Sequence, residues 1–105
     1  MILATTERIE GREVAETLGL VRGNTIRARH IGRDLMAGLR TLVGGEIKEY
    51  TAMLDLARDQ AIERMVKQAE SRGADAVIGI RFTTSQTMQA AAEILAYGTA
   101  VRLKE

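Results

Sequence analysis

Residues 46–82 read EIKEYTAMLDLARDQAIERMVKQAESRGADAVIGIRF, and this stretch decides the fold. Ile47, Tyr50, Leu54, Ala57, Ala61 and Met65 recur at three- and four-residue steps, with Ile62, Val66 and Ala69 widening the stripe. That period predicts a helix from Glu46 to Arg72 with one apolar face. Glu46 and Glu49 fall in its first turn, where carboxylates suit the helix dipole, and Lys67 and Arg72 lie toward its other end. Gly73 supplies a left-handed stop. The period then shortens: Val77, Ile78, Ile80 and Phe82 predict a strand over 74–84. A long one-sided helix running into an apolar strand calls for a sheet that the helix can cover.

Working outward, Ile2 to Thr6 reads as a first strand, and EGR at 10–12 as a turn. Residues 13–22 read as a second strand, with Gly19 marking a bulge and RGN at 22–24 a turn signal. From Ile31 to Val43, Ile31, Leu35 and Leu39 fall at helical spacing, with Met36 beside them. Gly32 and Gly38 each weaken that helix by roughly 1 kcal/mol relative to Ala. Gly44 and Gly45 then form a tight corner between two helices. Glu46 and Glu49 place negative charge in that turn, and no Lys-Ser or Lys-Thr follows, so the pair is not a phosphate loop. SQTMQ at 85–89 reads as a polar connection and 91–103 as a closing strand. The expected order is β-β-α-α-β-β: one α+β domain over residues 1–105, with an antiparallel-rich sheet packed on one long helix.

Composition narrows the function classes. Among 105 residues only Tyr50, Phe82 and Tyr97 are aromatic, so the core is built from Ala, Val, Ile, Leu and Met. Small side chains bury little area each, and a small domain built that way gains from oligomerising. The net charge of +1 selects no charged partner. There is no cysteine, hence no disulfide and no thiolate chemistry, which fits a reducing cytoplasm. No apolar run approaches the ~20 residues of a membrane span, and the N-terminus lacks the basic and apolar regions of a signal peptide. With no proline, the ten glycines are expected to carry most sharp turns.

The block from Arg33 to Val77 resembles the YbjQ-like family. It combines an RD…AG.R…GG…Y pattern with AR..A and GADAV.G, carried by Arg33, Asp34, Gly38, Gly44, Gly45, Tyr50, Arg58, Gly73, Asp75 and Gly79. ETLGLVRG at 16–23 and GTAV at 98–101 extend the match to the outer strands, so it covers nearly the whole chain. The resemblance implies a dodecin-like α+β subunit assembled as a homopentamer. It also implies a heavy metal as the cofactor to test, and it brings no established reaction.

Each candidate chemistry has a plainer competitor. Soft metals prefer thiolates and imidazoles, and the chain offers one histidine, His30, beside the cation of Arg29. Only a symmetric assembly could gather several His30 side chains. Met53 and Met65 lie twelve residues apart on one helix, roughly 18 Å, too far to share Cu(I). They read, with Met36 and Met88, as core filling. Asp55, Asp59 and Glu63 form an acidic ridge, but Arg58 and Lys67 stand at pairing distance on the same helix. Arg22, Arg27, Arg29, Arg33 and Arg40 face one acid, Asp34, which suggests an anion or nucleic-acid surface; yet no aromatic residue lies among them for stacking. Ser71 and Ser85 lie in no nucleophile elbow. The two leading readings are a homo-oligomer holding a ligand or metal at subunit junctions, and an enzyme whose site is shared between subunits.

Overall fold

The computed structural model describes residues 1–28, 42–43, 46–88 and 91–105. In chain order the elements are β1 (Ile2–Leu3), β2 (Val14–Ala28), β3 (Leu42–Val43), β4 (Glu46–Ile47), α1 (Lys48–Ser71), β5 (Ala76–Met88) and β6 (Ala91–Leu103). The main sheet has the order β1-β5-β6-β2. β1 runs parallel to β5, while β5–β6 and β6–β2 are antiparallel. This is the expected α+β class: among the described residues, one helix lies on a mixed four-stranded sheet.

The apolar stripe of α1 is what binds helix to sheet. Ala57, Ala61, Met65 and Ala69 are fully buried and pack with Val21, Val77, Ile94, Ala96 and Ala100. Leu54 and Ile62 flank that cluster. The helix lies chiefly over β2, less over β6 and least over β5. Gly73 stops it at φ +76°. No basic residue occupies its last turn. Lys67 instead pairs with Glu63 at 3.6 Å, and Arg72 reaches across to β2. Packing partners therefore claim the cations that the dipole argument would have placed at the helix end.

Several sequence expectations are corrected. RGN at 22–24 is not a turn, because β2 continues through it to Ala28, 15 residues in all. Gly23 reads as a breaker but serves a close approach. A Cβ there would lie 2.3 Å from both the Ala61 carbonyl oxygen and the Met65 nitrogen. The polar run Ser85–Met88 is likewise strand, paired with Glu93, Ala92 and Ala91. Ser85 and Gln86 are exposed, which suits their polarity. Glu46 and Ile47 precede the helix as β4, paired antiparallel with Val43 and Leu42. The helix expected from Ile31 falls, for 31–41, outside the described residues; its last two positions form β3. Gly44 and Gly45 also lie outside them. The Gly19 bulge is present, as a register shift between Thr17 and Gly19.

A smaller cluster closes the other face at one end of the sheet. Ala76, Val101 and Leu103 are buried there with Ile9 and Ile78. The turn at Glu10–Gly11, bracketed by the Ile9–Arg12 bridge, folds the segment before β2 over them. The rest of that face carries no covering element among the described residues. The molecule is correspondingly long, 54 × 24 × 17 Å. Its radius of gyration is 17.2 Å, against about 13 Å expected for a compact domain of this length.

Candidate functional site

The uncovered face is set by register. Directly paired strand residues share a face. Arg22 and Arg81 both pair with Tyr97, so two arginines flank one tyrosine in a row across three strands. One pair further along, Asn24, Leu95 and Thr83 align, then Ile26, Glu93 and Ser85. Asn24 Nδ2 donates to Glu93 Oε2 at 3.3 Å. Leu20 and Ile26, both 59% exposed, and Tyr97, 36% exposed, leave apolar surface on this face. Arg81 Nη1 donates to the Thr5 and Ile80 carbonyl oxygens, while among the described residues no hydrogen bond or ion pair engages the Arg22 guanidinium. The sequence reading found no aromatic near its arginines. Tyr97 comes from a strand 75 residues away, and only the pairing register brings it there.

The two edges of the sheet differ. On β2, side chains of α1 occupy the outward backbone groups. Arg72 Nη1 donates to Leu20 O at 2.6 Å, the Arg22 N–H donates to Gln68 Oε1 at 2.7 Å, and Arg64 Nη1 donates to Asn24 O at 2.6 Å. On β5, the chain's first residues cover only the start of the strand. Ala4 N–H donates to Val77 O, Gly79 N–H to Thr6 O and Ile80 N–H to Ala4 O. Gly79 sits in the register shift between Ile78 and Arg81. From Phe82 to Gln86, the outward groups meet no partner among the described residues.

The family-motif residues divide into those the structure places and those it does not. Gly73, Asp75 and Gly79 frame the β1–β5 junction. Asp75 Oδ2 accepts from the Leu103 N–H at 2.8 Å, and its carbonyl oxygen accepts from Ile2 N–H at 3.2 Å. Arg102 Nε donates to Gly73 O at 3.4 Å. Arg58 pairs with Asp55 at 2.8 Å on the helix surface. Tyr50 lies in the first turn of α1. Arg33, Asp34, Gly38, Gly44 and Gly45 lie outside the described residues.

The acidic ridge is a solvated helix face, with Asp55 and Glu63 each paired along the helix. Met65 is core, and Met53 is partly buried; Met36 is outside the described residues. Ser71 Oγ donates to Gln68 O, closing the helix end. Arg27 approaches the helix side of β2, and its Nε is buried without a partner. His30, Arg29 and Arg40 are outside the described residues. Among the described residues no three His, Cys, Asp or Glu side chains gather as a cation set. A heavy metal therefore finds no donor set there. A pocket of about 200 Å³ opens between the 7–13 segment and the sheet, floored by Ile9, Val14, Ile78 and Leu103. Its rim carries two acids and two arginines, Glu7, Glu13, Arg8 and Arg12. No helix among the described residues is long and apolar enough to cross a membrane.

Comparison with known proteins agrees with this architecture. A YbjQ family model described as "Putative heavy-metal-binding" matches residues 1–104. A UPF0145 protein of Archaeoglobus fulgidus is 62% identical over 104 residues, covering 99% of this chain and 96% of its own. A UPF0145 protein of Psychromonas ingrahamii is 59% identical over 105 residues, all of both chains. A crystal structure of a DUF74-family protein of unknown function from Pediococcus pentosaceus superposes with a TM-score of 0.70. It is 18% identical over 99% of this chain and 98% of that one, a likeness of fold.

Proposed function

We propose that this chain, which belongs to the YbjQ family, is the subunit of a closed homo-oligomer that holds a small ligand where subunits meet. Five copies is the number the family resemblance implies, and a cytoplasmic setting suits a chain without cysteine. The observation that carries the reading is the half-covered sheet. The helix lies over β2, the opposite face keeps Leu20, Ile26 and Tyr97 exposed, and the subunit is far longer than a self-contained domain of its size. Exposed apolar surface of this kind marks an interaction site. Native mass spectrometry of the full chain tests it. A pentamer with excess mass supports both parts, a ligand-free oligomer removes the ligand, and a monomer at ~100 μM removes the assembly.

A second reading has its own observation. Arg22 and Arg81 on either side of Tyr97 make, among the described residues, the one strand row that joins cations and an aromatic residue. That set suits an anion carrying a planar ring. Fluorescence anisotropy with a labelled oligonucleotide at two salt concentrations tests it, because phosphate binding falls steeply with salt. Binding that ignores salt, or none, removes the reading. A resident heavy metal is not part of either proposal, since the described residues do not fit one.

A further inference from the structure

We infer that the outer edge of β5 from Phe82 to Gln86 is the sheet-extending half of the subunit interface, and that a strand of a second copy of this chain fills it. The inference rests on the assembly reading and specifies its geometry. An open strand edge is a template for pairing, and proteins that do not use it protect it with charge, proline or a cover. Among the described residues, this chain caps one edge and leaves the other open from Phe82 to Gln86. On β2, three consecutive outward residues, Leu20, Arg22 and Asn24, have backbone groups taken by Arg72, Gln68 and Arg64 of α1. A neighbour cannot add there without displacing all three side chains.

On β5 the outward direction is fixed by the bonds to the first residues. Ile80 N–H donates outward to Ala4 O, so by strand alternation Phe82, Thr84 and Gln86 also point outward. Residues 82–88 read FTTSQTM, with no charge and no proline. That composition lacks the charge and proline that edge strands use against pairing, and the register shifts of β5 fall at its two ends, Ile78/Arg81 and Gln86/Met88. Phe82 stands 45% exposed beside this edge, paired with Ala96 on the helix side of the sheet. An added strand restores the missing hydrogen bonds and covers that ring. The occupant is a second copy because the subunit leaves its own sheet half covered and its length unmatched by a core. The β2 segment Leu20–Asn24 of that copy is excluded as the added strand by its own cap.

The test is Thr84→Pro in the full chain. Its N–H points outward and is not used in the ladder with β6, so proline removes only the intermolecular bond. Expected results are loss of oligomer mass with an unchanged far-ultraviolet spectrum. In the parent oligomer the amides of Phe82, Thr84 and Gln86 should be protected, those of Phe82 and Gln86 exchanging at least about 100-fold more slowly than in the variant's monomer, which has no amide proton at 84. Thr84→Lys gives the same readout by charge if the proline variant does not fold. A parent oligomer whose three amides exchange at once, and which survives both substitutions, overturns this edge while leaving assembly standing. A parent chain that is monomeric overturns assembly and this edge together, even if the edge binds some other peptide.

Discussion

Replacing Gly23 with alanine should be among the most damaging single-methyl additions in this protein. The added Cβ would sit 2.3 Å from Ala61 O and Met65 N and 2.8 Å from the Arg64 carbonyl carbon. All three are backbone atoms of α1, so no rotamer change relieves the contact. Ordinary contact begins near 3.4 Å, so helix and strand must separate by about 1 Å. A gap of that size forfeits roughly a quarter to a half of the dispersion energy of the atoms that line it. Those atoms belong to Val21, Ala57, Ala61 and Met65, the fully buried centre of the core. Overpacking typically costs 1–3 kcal/mol, and the upper end applies here, about 3 kcal/mol, because the clash is with backbone on one side and strand on the other. For a domain of this size that is a fall in Tm of roughly 12–24 °C. Urea unfolding at fixed protein concentration measures it, with Asn24→Ala on the same strand as a control expected within about 0.5 kcal/mol of the parent. A Gly23→Ala protein as stable as that control would refute the helix position described here.

Other substitutions separate core, backbone and surface effects. Met65→Ala empties a fully buried site and should cost about 2–5 kcal/mol in the same urea experiment. Gly73→Ala forces a Cβ into φ +76° at the helix stop and should cost about 1–2 kcal/mol. Asp75→Ala removes the acceptor of the Leu103 N–H and should cost about 1 kcal/mol, with faster hydrogen exchange at Leu103 as its signature. Asp55→Ala and Glu63→Ala break exposed helix pairs and should each change stability by less than about 0.5 kcal/mol. A larger loss on oligomer dissociation would instead place the ridge at an interface.

The α+β class was legible because the α1 stripe and the two apolar strands have unmistakable periods. Residues 91–103 show why strand ends can also be read: Gly98 and β-branched neighbours outweigh an alanine run, and β6 occupies Ala91–Leu103. Gly23 and Ser85–Met88 show the limit. Glycine signals a turn or a close approach with the same letter, and only the partner element decides which. A polar edge strand looks like a loop because its exposed residues, here Ser85 and Gln86, break the apolar alternation. The row Arg22–Tyr97–Arg81 was illegible for a third reason. It depends on the register of three strands, including shifts at Thr17/Gly19 and Ile78/Arg81 that move every later residue. The ion-pair reading of the acidic ridge needed only helical spacing, which the sequence displays.

The small residues and the unequal edges are one piece of physics. Gly23 and the alanines at 57, 61 and 69 let α1 press close against β2, which draws the helix to one side of the sheet. From that position the polar flank of the helix, stepping by four through Arg64, Gln68 and Arg72, runs alongside the outer backbone of β2. A helix held further away by larger side chains would not reach those groups, and one centred over β6 would leave both edges alike. With α1 displaced toward β2, Phe82 of β5 stays 45% exposed and the outer edge of Phe82–Gln86 has no cap among the described residues. Close packing on one side thus leaves the other side free for the pairing inferred above. Gly23→Ala should accordingly show two effects together: lower stability, and loss of selectivity between edges as the caps on β2 lengthen and that strand too becomes able to pair. Higher-order species in native mass spectra of the variant, absent from the parent, would mark the second effect. A destabilised variant that kept the parent's stoichiometry throughout its folded range would separate the two and leave the cap without a role in assembly.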